Sequence, residues 1–136
     1  MILTDTGPLV ALINRNDPNH AVSVIAAKHL PAAPLITTWC CFTEAMYLLF
    51  RAGGYPAQES LWRLRDTNRL LLHDLSLNET ERMAVLMKKY RDKPMDLADA
   101  SIVVTAENFS LKSVFTLDSD FYVYRLKNGS ALQIVP

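Results

Sequence analysis

Cysteine is nearly absent from this chain: two in 136 residues, Cys40 and Cys41, and they are adjacent. Adjacent cysteines rarely meet the geometry of a disulfide with each other, so both read as thiols of a reducing compartment. The three histidines, His20, His29 and His73, are isolated, and no paired Cys/His spacing exists, which removes zinc-type sites. Long apolar runs are missing too. None approaches the roughly 18 residues that suggest a membrane span, and no basic segment precedes the apolar start MILTDTG. The expectation is a cytoplasmic protein, neither secreted nor anchored. Fourteen basic and fourteen acidic side chains cancel, so no global field attracts nucleic acid and any polyanion has to be held locally. There is no glycine-rich phosphate loop and no Ser-His-Asp spacing.

What the chain does have is apolar content, 50% of its residues, enough for one compact domain over residues 1–136 without staples. Short apolar runs alternate with stretches of helical spacing. Ile2 to Asp5 reads as a strand, and Thr6-Gly7-Pro8 as a turn whose proline opens a helix. Asn16-Asp17-Pro18 reads as the cap of a second helix, and Leu35 to Thr38 as a strand. A buried helix is expected from Phe42 to Ala52, ending at Gly53-Gly54 with Glu44 in its first turn, then an amphipathic helix from Pro56 to Asn68. Leu70 to Leu72 reads as a strand, Asn78 as the next cap, Asp96 to Phe109 as a helix, and Val114 to Leu117 and Leu132 to Val135 as strands. Alternating strands and helices predict an α/β fold, a three-layer α/β/α arrangement around a short parallel sheet. Ligands in such sheets bind beyond the carboxyl ends of the strands, where strand order reverses.

Carboxylates stand at those ends. Asp5 follows MILT, Glu44 lies in TEAMYLLF, Asp96 and Asp99 in PMDLADASIVV, and Asp118 follows SVFTL. An acid that terminates an apolar segment sits beside a core and is only partly hydrated. Two carboxylates about 4 Å apart repel by about 4 kcal/mol at an effective dielectric near 20, so a cluster calls for a cation between them. Each acid also has a plain structural use. Asp5 suits a turn, Glu44 suits the positive end of a helix, and Asp96 suits an N-cap. Asp99, one helical turn further on among Leu97, Ala98, Ala100 and Ile102, is the better ligand of that pair. Asp120 reads as a turn residue beside Asp118.

Taken in order, ILTDTGPLVAL, TEAMYLL, PMDLADASIVVTAE and FTLDSDF resemble the motifs of the PIN domain, and within it the VapC-type ribonuclease toxins of toxin–antitoxin pairs. The resemblance spans essentially the whole chain. It implies that Asp5, Glu44, Asp99 and Asp118 are the catalytic acids. It implies a metal site built from Asp5, Asp99 and Asp118 with Asp96 as an extra acid, and Thr6 in the small-hydroxyl position after the first Asp. Gly7 and Pro8 depart from the family, which often has a serine and a small residue there. The activity implied is endoribonuclease, with RNA as substrate and a cognate antitoxin as partner. A homodimer is expected from the apolar content, since the helix from Pro56 to Asn68 carries Leu61, Trp62 and Leu64 beyond what one core has to cover. An all-oxygen donor set favours Mg²⁺ or Mn²⁺ over softer ions.

Phosphates have to be met by local charge, for which Arg15 and Lys93, with Lys88, Lys89 and Arg91, flank the acidic segments. A haloacid-dehalogenase-like phosphatase would need a second Asp where Gly7 stands, and a receiver domain would need an acid pair near the first strand. The alternative that stays open is a PIN-like binding module with weak or no nuclease activity, acting through a protein partner.

Overall fold

A computed structural model describes all 136 residues. Five short strands, β1 (Ile2–Leu3), β2 (Leu35–Thr38), β3 (Leu70–His73), β4 (Ser113–Phe115) and β5 (Gln133–Val135), alternate with five helices. The helices are α1 (Thr6–Ile13), α2 (His20–His29), α3 (Trp39–Asp66), α4 (Leu77–Lys89) and α5 (Leu97–Phe109), and a single 3₁₀ turn spans Ser119–Tyr122. All strand pairs are parallel. β1, β2 and β3 form one ladder, β4 and β5 another, and a parallel bridge from Thr4 to Phe115 joins them. The order across the joined sheet is therefore β5-β4-β1-β2-β3, and it reverses direction between β1 and β4.

Both sheet faces are covered, which gives the expected α/β/α layering. On one face Leu3 and Ile36 pack with Met83 and Leu86 of α4 and with Ala100, Val103 and Val104 of α5. On the other, Leu70 packs with Leu9 and Val10 of α1 and with Phe42, Ala45, Leu49 and Leu61 of α3. Strands buried on both sides need near-continuous apolar runs, which LITT and LLLH approach. No helix is long and apolar enough to cross a membrane.

The helix starts differ from the sequence reading, and each difference has a local cause. Asp5 is itself the N-cap of α1, its carboxylate accepting from Thr6 N, so Pro8 is the third helical residue instead of the first. Proline is tolerated there because the first-turn N–H groups lack helical partners anyway. Asp17 does not cap α2. Its carboxylate closes a turn onto Asn19 N at 2.8 Å, and the helix begins at His20. Ser76 displaces Asn78 as the cap of α4, in a reciprocal box with Glu79. Thr38 caps α3 by accepting from Cys41 N, so the helix starts at Trp39 and Glu44 falls in its second turn. The break foreseen at Gly53-Gly54 is present as a kink inside α3: Gly54 takes φ 66° and ψ −159°, a conformation open to glycine, and Pro56 follows. β1 and β4 end one or more residues before their acids, leaving Asp5 and Asp118 free to act as caps.

Candidate active site at the carboxyl edge of the sheet

The strand-order reversal places Asp5, at the end of β1, beside the segment that leaves β4. Asp5 N donates to Phe115 O at 2.9 Å, and the Thr116 hydroxyl donates to Asp5 Oδ2 at 2.8 Å. Asp5 is buried, and its other oxygen accepts from Thr6 N at 2.8 Å and from the Cys41 thiol at 3.7 Å. Burial raises its pKa above the usual carboxylate range; the bonds from Thr116 and Thr6 oppose this, while the charges of Asp118 and Asp96 add to it.

Asp96 and Asp99 enter through the start of α5. Asp96 is the N-cap, its Oδ1 accepting from Asp99 N at 2.8 Å, and Asp99 Oδ2 accepts in return from Asp96 N at 3.2 Å. Asp96 is exposed and Asp99 buried. Desolvation first, then the charges of Asp96, Asp5 and Asp118, push the Asp99 carboxyl up to about 7, against one opposing bond from the Asp96 backbone. Of the apolar neighbours expected around Asp99, Leu97 points to solvent while Ala98, Ala100 and Ile102 are buried.

Asp118 caps the 3₁₀ turn through Asp120 N, at 2.9 Å, and its own N–H donates to the Thr116 hydroxyl at 3.0 Å. Thr116 thus links the first and last acids. Glu44 is exposed on α3 instead of apolar-packed, yet its carboxyl is raised by partial desolvation and by the charges of Asp96 and Asp5. Five carboxylates from four segments of the chain therefore feel one another's charge at one edge of the sheet.

The hydroxyl and the basic side chains singled out beside the acids lie in different settings. Thr6 is buried, and its hydroxyl donates inward to Cys41 O at 3.4 Å. Arg15 lies past the far end of α1, and eight residues of helix put it about 12 Å along the axis from Asp5. Lys93 is exposed, three residues ahead of Asp96, on the approach to the acids.

Three neighbours of the acids escaped the sequence reading. Thr116 and Cys41 hold Asp5, and the Tyr124 hydroxyl lies 3.2 Å from Asp99 Oδ2. Thr116 left a weak signal, a hydroxyl two residues before Asp118 at a strand end. Cys41 is fully buried beside Asp5, and desolvation followed by the Asp5 charge raises its pKa to about 12, so it remains a neutral thiol and donor.

As the side chains stand, no three acidic, histidine or cysteine groups are arranged to hold one ion. The donor chemistry nonetheless fits Mg²⁺ or Mn²⁺. These ions commonly take one or two carboxylates and complete their shell with water and substrate phosphate, and Asp5 and Asp99 are buried carboxylates that also feel the charge of Asp96 and Asp118.

No protein-family model matches the chain. It is 26% identical over 136 residues to Ribonuclease VapC26 of Mycobacterium tuberculosis, an alignment covering 99% of this chain and 100% of that protein. Its backbone matches the crystal structure of Mycobacterium tuberculosis VapC20, a Sarcin-Ricin loop cleaving toxin, with a TM-score of 0.86 at 18% identity and both chains fully covered. VapBC2 from Rickettsia felis, solved bound to a DNA fragment from its promoter, matches with a TM-score of 0.66 at 18% identity, again over 100% of both chains. In strand order, in chain length and over its whole backbone the chain has the fold of these VapC proteins, and in sequence it is similar to a VapC ribonuclease.

Proposed function

We propose that this protein is an endoribonuclease, the toxin of a toxin–antitoxin pair, that cleaves RNA phosphodiesters with Mg²⁺ or Mn²⁺. The observation that carries the reading is the convergence of Asp5, Glu44, Asp96, Asp99 and Asp118 at the strand-order reversal, where desolvation first, and then the charges of neighbouring acids, raise Asp5, Glu44 and Asp99. Asp5, Asp99 and Asp118, with Asp96 beside them, are the residues that would hold the ion. When bound, it supplies Lewis acidity toward the phosphodiester and lowers the pKa of water. Asp5 is fixed on three sides, by Thr6, Thr116 and Cys41, and so presents its remaining lone pair in one direction. Glu44, exposed at the rim, is free to accept a proton from an attacking water, and its raised pKa suits that role. Lys93 meets substrate phosphate at the approach to α5.

Relatives in antitoxin complexes, such as the toxin–antitoxin complex from Klebsiella pneumoniae, support a protein partner. The apolar surface for such a partner, or for a second copy, is not where the sequence placed it. Leu61 is fully buried, and Trp62 and Leu64 pack on the protein's own core. Tyr47, Leu48, Phe50 and Tyr55, exposed on either side of the α3 kink, take that place, and a homodimer in the cytoplasm fits them.

The test is cleavage of RNA by the pure protein with and without Mn²⁺, alongside Asp5→Asn. Cleavage that requires the ion and is lost in a folded Asn variant supports the reading. Absence of cleavage with or without Mn²⁺ would leave protein binding as the function.

A further inference from the structure

We infer that Tyr124 is a positioning residue for the metal site: its hydroxyl fixes which oxygen of Asp99 faces the ion. The inference rests on the metal-dependent reading above. Asp99 Oδ2 lies 3.2 Å from both the Tyr124 hydroxyl and Asp96 N. A carboxylate oxygen has two lone pairs in its plane, and two donors occupy both. Oδ1 is left as the free oxygen, so Asp99 reaches the ion through that atom alone.

The phenol is built to hold this pose. Tyr124 is 3% exposed, and its ring stands edge-on to Phe121 and Tyr90, with centroids 5.3 and 5.1 Å away. Its hydroxyl is also 3.1 Å from Pro94 O, at the turn that leads into Asp96 and α5. A phenol carries one proton, and an ionised carboxylate is the stronger acceptor, so the proton goes to Asp99 when the site is loaded. Partners of this kind orient metal ligands, and their removal typically lowers metal affinity or activity about 10- to 100-fold.

Tyr124→Phe keeps the ring and removes the donor. Tyr90→Phe is the matched control, because the Tyr90 hydroxyl accepts from Arg125 N at 2.9 Å and is bonded to neither Asp96 nor Asp99. Calorimetric titration with Mn²⁺ in the absence of RNA is the primary readout, with melting temperature and the kcat and KM for a short RNA beside it. The expected result is Mn²⁺ affinity lower by about 10-fold or more in Tyr124→Phe, with the fall in kcat exceeding any rise in KM. Tyr90→Phe keeps the parent affinity. Parent-like Mn²⁺ affinity in a folded Tyr124→Phe overturns the inference and leaves the ribonuclease reading intact. An equal loss of affinity in both variants overturns it as well, since the cause would then be loosened packing. A parent protein that binds no Mn²⁺ overturns the metal reading and this inference together.

Discussion

The Thr116 hydroxyl donates to Asp5 Oδ2 at 2.8 Å and accepts from Asp118 N at 3.0 Å, so one side chain ties the first acidic segment to the last. Thr116 is 1% exposed, and its bond to Asp5 is one of the few effects that keep the Asp5 pKa down. Thr116→Val preserves the shape and deletes the hydroxyl. A hydrogen bond to a charged group contributes about 1.5–3 kcal/mol, so the variant should melt several degrees lower. Its Asp5 should titrate higher, and more Mn²⁺ should be needed for half-maximal cleavage. Parent-like melting and metal response would show that the hydroxyl is a bystander.

The raised carboxyl of Asp99 makes the metal-free protein sensitive to pH in a definite direction. A carboxyl whose folded pKa stands near 7, against an unfolded value near 3.9, binds more protons folded than unfolded between those values. Its contribution therefore favours folding at low pH and is lost as pH rises through about 7. In EDTA, the parent should lose more melting temperature between pH 5.5 and 8.0 than Asp99→Asn, which has no charge to develop there. Saturating Mn²⁺ at pH 8.0 should narrow the gap by favouring the ionised form. Parallel pH profiles for parent and variant would show that Asp99 ionises without strain.

Cys40 and Cys41 are neighbours with different chemistry. Cys41 is fully buried, with a thiol raised to about 12 and turned toward Asp5, whereas Cys40 is half-buried. Thiolate is the reactive form, so native protein should be alkylated at Cys40 alone, and both positions should react after unfolding. Peptide mass spectrometry after iodoacetamide treatment distinguishes the two. Labelling of Cys41 in the native state would mean that the core behind Asp5 opens readily.

The strands and the acids were legible in the sequence because both are local patterns: an apolar run and the carboxylate that ends it. Helix starts were less so. Asp17 turns onto Asn19 N and leaves the start of α2 without a side-chain cap, and Ser76 takes the capping role that Asn78 could also have filled, so chain geometry decides which polar residue serves. The support of the site was not legible at all. Thr116 reaches Asp5 across 111 residues, Cys41 reaches it across 36, and Tyr124 reaches Asp99 across 25. Nothing in local spacing announces such contacts, since they follow from the parallel crossovers that bring β1 and β4 together. Glu44 shows the converse. Its apolar neighbours in sequence suggested burial, but helical periodicity turns Ala45 and Leu49 inward and leaves Glu44 at the surface.

Asp96 and Asp99 cap each other, yet they should separate cleanly by mutation. Asp96 is exposed and its Oδ1 is committed to Asp99 N, whereas Asp99 is buried with Oδ1 free of any hydrogen bond. Asp96→Ala removes the N-cap of α5 and should lower stability by about 1 kcal/mol, with a modest loss of cleavage. Asp99→Asn retains an acceptor for Asp96 N but loses the ligand charge. It should abolish most cleavage while melting no lower than the parent in EDTA at pH 8.0, because a strained carboxylate has been removed. Initial rates at saturating Mn²⁺, measured beside melting curves, test both halves of the claim. Equal losses of activity would mean that the two acids share the ion, and a larger loss in Asp96→Ala would transfer the ligand role to the cap.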